Sequence, residues 1–270
     1  MIVLAACVAL LGSLFFAVGA ALQQFEAAAA ARPGLLRLAR RPRWLLGGAA
    51  IVAGGGLHIL ALSLGPLTIV QPMGVSSLLF ALPVAAALHG RRPVREELAA
   101  AAVVTVGLIG LVLVVPPPTT EPTLSTPGAL VLLGIAAFTA LLAGGVARAA
   151  APPWRAGLLA TGAGVLYGAT ATLTRVLVDG AWEPWFLLAV PPPAVLALAM
   201  LQRAYAIGHF AVAFTALQLS DPLTAIAFGA VLLGEPLPTG VTEATIAAAA
   251  AALTAGGTVA LARTTPLTQR

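Results

Sequence analysis

The sequence predicts an all-α integral membrane protein with about nine transmembrane helices, and three observations predict it. Sixty per cent of its 270 residues are apolar, only 9% are charged, and the mean hydropathy is +1.02. Ordinary soluble domains are about 45–50% apolar and about 25% charged. The apolar residues come in runs of the length that crosses a hydrocarbon layer, about 20 residues. The arginines gather in alternate gaps between those runs. A chain this poor in charge cannot furnish the polar skin of a soluble enzyme, and one this apolar is not a disordered chain.

The runs fall at 1–23, 44–64, 67–89, 98–115, 127–147, 156–178, 184–206, 210–234 and 241–261. Gly and Pro break helices, so tight corners are expected at Gly65-Pro66 and at Ile207-Gly208-His209. A further division at Ser220-Asp221-Pro222 would make ten spans. Charge favours nine. With the N-terminus outside, the inner gaps hold Arg32, Arg37, Arg40, Arg41, Arg43, Arg91, Arg92, Arg95, Arg148 and Arg155, with Arg203, Arg263 and Arg270 on the same side. The outer gaps hold Glu121, Asp179, Glu183, Glu235 and Glu243, and only Arg175 leans outward. Thirteen of 14 arginines then obey the rule that basic residues mark the cytoplasmic side. The expected location is the plasma membrane, multi-pass, with the C-terminus cytoplasmic. The chain starts apolar with no basic stretch, so its first helix is expected to stay in the membrane as an anchor.

Net charge +5 and pI 11.0 follow from this loop asymmetry, so no nucleic-acid partner is expected. One cysteine, Cys7, allows no internal disulfide and reads as a small buried hydrophobe. Three scattered histidines (His58, His89, His209) and one cysteine make no metal cluster, and no cofactor is expected. No nucleophile–base constellation is visible, so an enzyme is not expected. No phosphate-binding loop is present either, so any driving force is an ion gradient or the solute's own.

Two segments resemble each other at an offset of 143 to 144 residues. One runs from His58 to Gly65 and then along a long helix to His89-Gly90-Arg91. The other runs from Leu201 to Gly208 and then to Leu233-Gly234-Glu235. Ser76 aligns with Ser220 and Ser77 with Asp221. The topology places the copies in opposite senses, and inverted repeats with interrupted helices near the midplane are how many carriers build alternating access. The expected units are a first repeat at 1–116, an outer Pro-rich linker at 117–126, a second repeat at 127–262 and a tail at 263–270.

Trp44-Leu45-Leu46-Gly47, the stretch from Leu62 through Gly65-Pro66 to Gln71-Pro72-Met73-Gly74, and His89-Gly90-Arg91-Arg92 resemble the drug/metabolite transporter (DMT) superfamily. Within it the likeness is to EamA-type carriers and NIPA-type magnesium transporters. Leu233-Gly234-Glu235-Pro236 is similar to the corner closing an EamA repeat. The resemblance covers 1–262 and implies a transporter of a small solute or metabolite, or alternatively of Mg²⁺. It also implies a Glu in the second helix of NIPA proteins, where this chain has Gly55. Mg²⁺ is usually held by one or two carboxylates, so that departure weighs against the metal. A third possibility is a scaffold that transports nothing.

Ionisable residues inside a span point to function. Asp221 lies midway along its run beside Pro222, which removes a backbone donor. It could hold a proton, a cation or a cationic solute, or cap a helix if the chain breaks there. If the protein holds any metal, Asp221 is the ligand. Arg203 could pair with an anionic substrate or with Asp221, or snorkel to the interface. His58, beside Gly54, Gly55 and Gly56, could relay protons or be a satisfied interior ring. Gln71 and Gln218 lie at matched depths, and Ser220 and Tyr167, with Thr170, Thr172 and Thr174, complete the candidate lining. Pro72, Gly74 and Pro222 are candidate hinges, as is the triplet Pro191-Pro192-Pro193. Gln23, Gln24 and Glu26 are expected at a solvated rim. Gly12, Gly19, Gly107, Gly110, Gly162 and Gly164 are expected at packing surfaces. The expected partners are the solute, the bilayer and, in a homodimer, a second copy.

Overall fold

A computed structural model of the chain describes residues 2–30, 34–65, 70, 73–114, 121–179, 184–236 and 240–264. Gln71 and Pro72 lie outside the described residues, as do residues 117–120 of the Pro-rich linker. The described chain is built from helices: α1 (Ile2–Ala28), α2 (Leu35–Leu38), α3 (Pro42–Leu64), α4 (Ser77–Leu88), α5 (Arg95–Val114), α6 (Thr126–Ala147), α7 (Pro152–Asp179), α8 (Phe186–Ala189), α9 (Pro191–Ala206), α10 (Phe210–Leu232) and α11 (Val241–Thr264). Among the described residues eight segments are long and apolar enough to cross a membrane. The third expected span is represented by the shorter apolar helix Met73–Leu88.

Local chemistry sets the boundaries. Pro42 opens α3, where no backbone donor is needed. Ser125 caps α6 by accepting from the Gly128 amide at 3.3 Å. The Pro191 triplet starts α9 afresh, and Val190, itself in the right-handed helical region, separates it from α8. α4 and α10 both end on a left-handed glycine, Gly90 at φ +67° and Gly234 at φ +68°. These are aligned positions of the two similar segments.

Between helices in lipid there is little hydrophobic gain, so contact comes from small residues that let backbones approach. The buried residues are dominated by alanine, and the largest helix contacts are made through glycine. α1 lies on α3 with Gly12 opposite Gly54 and Gly19 opposite Gly47, the two pairs meeting reciprocally. α5 lies on α11, Gly107 meeting Ala250 and Thr254, and Gly257 meeting Ala100 and Val104. α7 lies on α10 through Gly164 and Gly168. Gly162 meets Met200 of α9 and Ala143 of α6. The outward faces carry large apolar side chains such as Val52 (76% exposed) and Phe138 (68% exposed), which only lipid would cover favourably.

Several expectations are corrected. Cys7 is exposed on the outer face of α1, because the buried face of that helix belongs to its glycines and alanines. Gly55 and Gly56 meet nothing, and only Gly54 of that run packs. Gln23, Gln24 and Glu26 are buried instead of solvated, since the end of α1 is covered by α3 and α9. α10 runs unbroken from Phe210 to Leu232 with Pro222 inside it, so Asp221 caps no helix and the chain is not divided there. A helical interior proline costs one hydrogen bond, and the packing of α7 along the same stretch holds the helix together.

Two outcomes follow. Gly54→Leu would drive a side chain into the Gly12 carbonyl, whereas Gly55→Leu would enter open space. Thermal unfolding in detergent should show the first destabilised by about 1–3 kcal/mol and the second near wild type. The corner between α9 and α10 turns on Gly208 (φ +92°) and His209. His209 is 6% exposed, and neither ring nitrogen finds a hydrogen-bond partner among the described residues. Burial pushes this imidazole below its ordinary 6.5. The unfolded chain therefore takes a proton at a pH where the folded one does not, and stability falls as pH drops below about 6.5. His209→Phe should flatten that part of the stability–pH curve measured on the purified protein.

Candidate functional site

α7 and α10 are the most buried spans, with 56% and 50% of their most apolar stretches inside the protein. Their contact positions the candidate acid. A side-chain carbon at Gly164 would collide with Ser220, and one at Gly168 with the Asp221 carbonyl and Thr224. Only glycine lets α10 lie this close, and the approach sets Ser220 and Asp221 against α7. Tyr167 stands between the two glycines on α7, within electrostatic reach of Asp221. Ser220 Oγ donates to the Ala216 carbonyl at 2.7 Å, a bond within its own helix. Asp221 is partly buried and has no ion-pair partner among the described residues. An unpaired carboxylate inside a span is costly, so the site is suited to a proton or a cationic group.

A second cluster lies in the first half. Ser13 Oγ bonds the Met73 carbonyl at 2.6 Å and lies 3.4 Å from that of Gly74. His58 packs on Gly74, where a side-chain carbon would come within 3.1 Å of its ring. Met73 and Gly74 are helical, the Met73 carbonyl also accepts from the Ser76 amide at 3.2 Å, and Ser13 adds a side-chain bond to it. Ser13 escaped notice in the sequence, though a lone serine in an apolar run was its signal. The halves are joined nearby: Gln218 Nε2 donates to Ser77 Oγ at 2.9 Å. Gln218 lies one turn before Asp221, and Ser77 is the residue aligned with Asp221.

The remaining candidates go elsewhere. Thr170, Thr172 and Thr174 donate to carbonyls four residues earlier in α7. Arg203 does not pair with Asp221; it lines a cavity at the arginine-rich end with Arg148 and Arg155, because it occupies the last turn of α9. Arg175, the one arginine on the acidic side, pairs with Glu235.

The sequence reading missed a buried polar relay at the end of α1. Trp44 Nε1 donates to Gln202 Oε1 at 3.0 Å, and Gln202 Nε2 donates to Gln23 Oε1 at 2.9 Å. It ties α3, α9 and α1 together. Glu26 beside it pairs with Arg41 at 2.9 Å, and Glu97 is held in two bonds by Arg91 at 2.8 and 2.9 Å. Among the described residues no three His, Cys, Asp or Glu side chains converge on a point where a metal could sit.

No family model matches the chain, and no solved structure matches it. The chain is similar to a protein of Corynebacterium glutamicum designated uncharacterized, with 27% identity over 215 residues, which cover 74% of this chain and 72% of that one.

Proposed function

We propose that the chain is a multi-pass secondary transporter of the DMT superfamily type, moving a small solute or metabolite across the plasma membrane by alternating access. The observation that carries this reading is Asp221: a carboxylate with no ion-pair partner among the described residues, on the innermost pair of spans, within electrostatic reach of Tyr167 and one turn from a bond that joins the two halves. A membrane protein gains nothing in stability from such a group, so a transient partner accounts for it best.

The arrangement of helices supports two inverted repeats. α1 packs on α3 and α4, and α7 packs on α9 and α10. The aligned helices α4 and α10 meet each other, as do α5 and α11. That is the pattern a pseudo-two-fold axis in the membrane plane produces, and the matched terminal glycines Gly90 and Gly234 agree with it. In this reading Asp221 holds the charge of the solute or the coupling proton, and Tyr167, Gln218 and His58 line the path. Gly74, Pro72 and Pro222 allow the flanking helices to yield. In the same reading the N-terminus lies outside and the C-terminus in the cytoplasm, the orientation that the arginine placement favours.

The test begins with purified protein, screening amines, amino acids, divalent metals and neutral metabolites for a rise in unfolding temperature. A compound that raises it is then followed into proteoliposomes. Asp221→Asn should unfold within a few degrees of wild type, lose the ligand-induced rise and lose uptake. Asp221→Glu should retain part of both. An Asn variant with undiminished uptake would overturn the role of the carboxylate, and a screen in which no compound is bound or carried would favour a scaffold.

A further inference from the structure

We propose that the open cavity between α6, α7 and α9 at the arginine-rich face is a binding site for a phosphate group, carried by an anionic phospholipid headgroup or by a soluble phosphorylated compound. The cavity has a volume of about 550 Å³ and is lined by three arginines, Arg148, Arg155 and Arg203. They arrive from three different helix ends: after the last turn of α6, in the first turn of α7 and in the last turn of α9. None of the three is paired with a carboxylate among the described residues, whose ion pairs use Arg41, Arg91 and Arg175 instead.

The three arginines are solvent-exposed and line one cavity that contains no acidic residue, so an anion placed there would face positive charge from three sides. Two of the positions suit their helix ends, because the negative end of a helix favours a cation there. Arg155 follows the basic bias of this face but opposes its own helix end. It sits at the positive end of α7, in a first turn with no acidic residue to offset it. A phosphate would satisfy both the arginine and the helix end, and guanidinium groups bind phosphate through paired hydrogen bonds. The volume is in the range of ligand pockets, about 300–1,000 Å³.

The cavity is also built with room. A side-chain carbon placed on Gly144 would meet nothing within 4 Å. Its rim is amphiphilic: Leu141 (73% exposed) and Leu196 (43% exposed) face outward beside the arginines. A lipid would set its phosphate among the arginines and lay its chains on these leucines. A soluble compound would use the arginines alone. Basic pockets between spans on the cytoplasmic side are where anionic headgroups are bound.

The experiment measures the unfolding temperature of the purified full chain in a neutral detergent with four probes: phosphatidylglycerol, phosphatidylcholine, inorganic phosphate and glycerol phosphate. The site predicts a rise of about 2–4 °C or more with a phosphate-bearing anionic probe over phosphatidylcholine. Arg155→Gln/Arg203→Gln should lose that rise, and Gly144→Leu should lose it with all three arginines intact. Arg92→Gln, whose residue does not line the cavity, should keep it. A rise with phosphatidylglycerol alone identifies a lipid, and an equal rise with the soluble phosphates identifies a soluble ligand. Should the double variant fail to fold, Gly144→Leu decides. The proposal is overturned if no anionic probe raises the temperature of the wild type, or if Gly144→Leu keeps the full rise. These readouts do not depend on Asp221 or on uptake, so this site and the transport reading stand or fall separately.

Discussion

The approach of α7 to α10 through Gly164 and Gly168 is the contact on which the rest depends. It brings two backbones together where any side-chain carbon would meet Ser220 or the Asp221 carbonyl. Lipid tails are as apolar as leucine, so helices in a bilayer are held by close packing and hydrogen bonds and not by escape from water. The same device recurs in α1 against α3 and in α5 against α11. In each pair glycine gives up helix propensity, roughly 1 kcal/mol relative to alanine, and the contact area regained holds the pair together. At α7 and α10 the contact does more than hold. It puts a carboxylate against the inner helices of the protein, where no ion-pair partner among the described residues neutralises it.

Several buried polar and charged groups elsewhere among the described residues are paired, in contrast to that acid. Gln23, Gln202 and Trp44 bond one another, Glu26 and Glu97 each hold an arginine, and Arg175 holds Glu235. Buried amide groups of Gln24 and the hydroxyl of Thr215 find no hydrogen-bond partner among the described residues. Both lie on helices that border the join between the halves, α1 and α10. Unmet polar groups there are consistent with a wet path through the bundle, the setting in which a lone carboxylate is tolerated.

Much of this was legible in the sequence because its strongest signals are one-dimensional. Apolar run length located the eight spans and the shorter third helix, and the spacing of Gly12 with Gly19 and of Gly107 with Gly110 marked packing faces. What was not legible depends on which neighbour covers a residue. Cys7 and Gly55 look like interior residues until their helix faces turn out to be outward. Gln23 and Glu26 look like rim residues until α9 covers them. Pro222 reads as a break because proline removes one bond, but that loss is local and the packing of α7 spans it. Arg148, Arg155 and Arg203 are far apart in the chain, and nothing in their spacing says that three helix ends share one cavity.

The central claim is that the wall bearing Asp221 faces a path that opens to each side of the membrane in turn. It is tested most directly by placing a single cysteine at Gln218 in a Cys7→Ala background and treating oriented vesicles with a membrane-impermeant thiol reagent from either side. The account predicts labelling from both sides, slowed by a bound solute. Labelling from one side only, or from neither while the denatured protein reacts fully, would show a sealed bundle and contradict it.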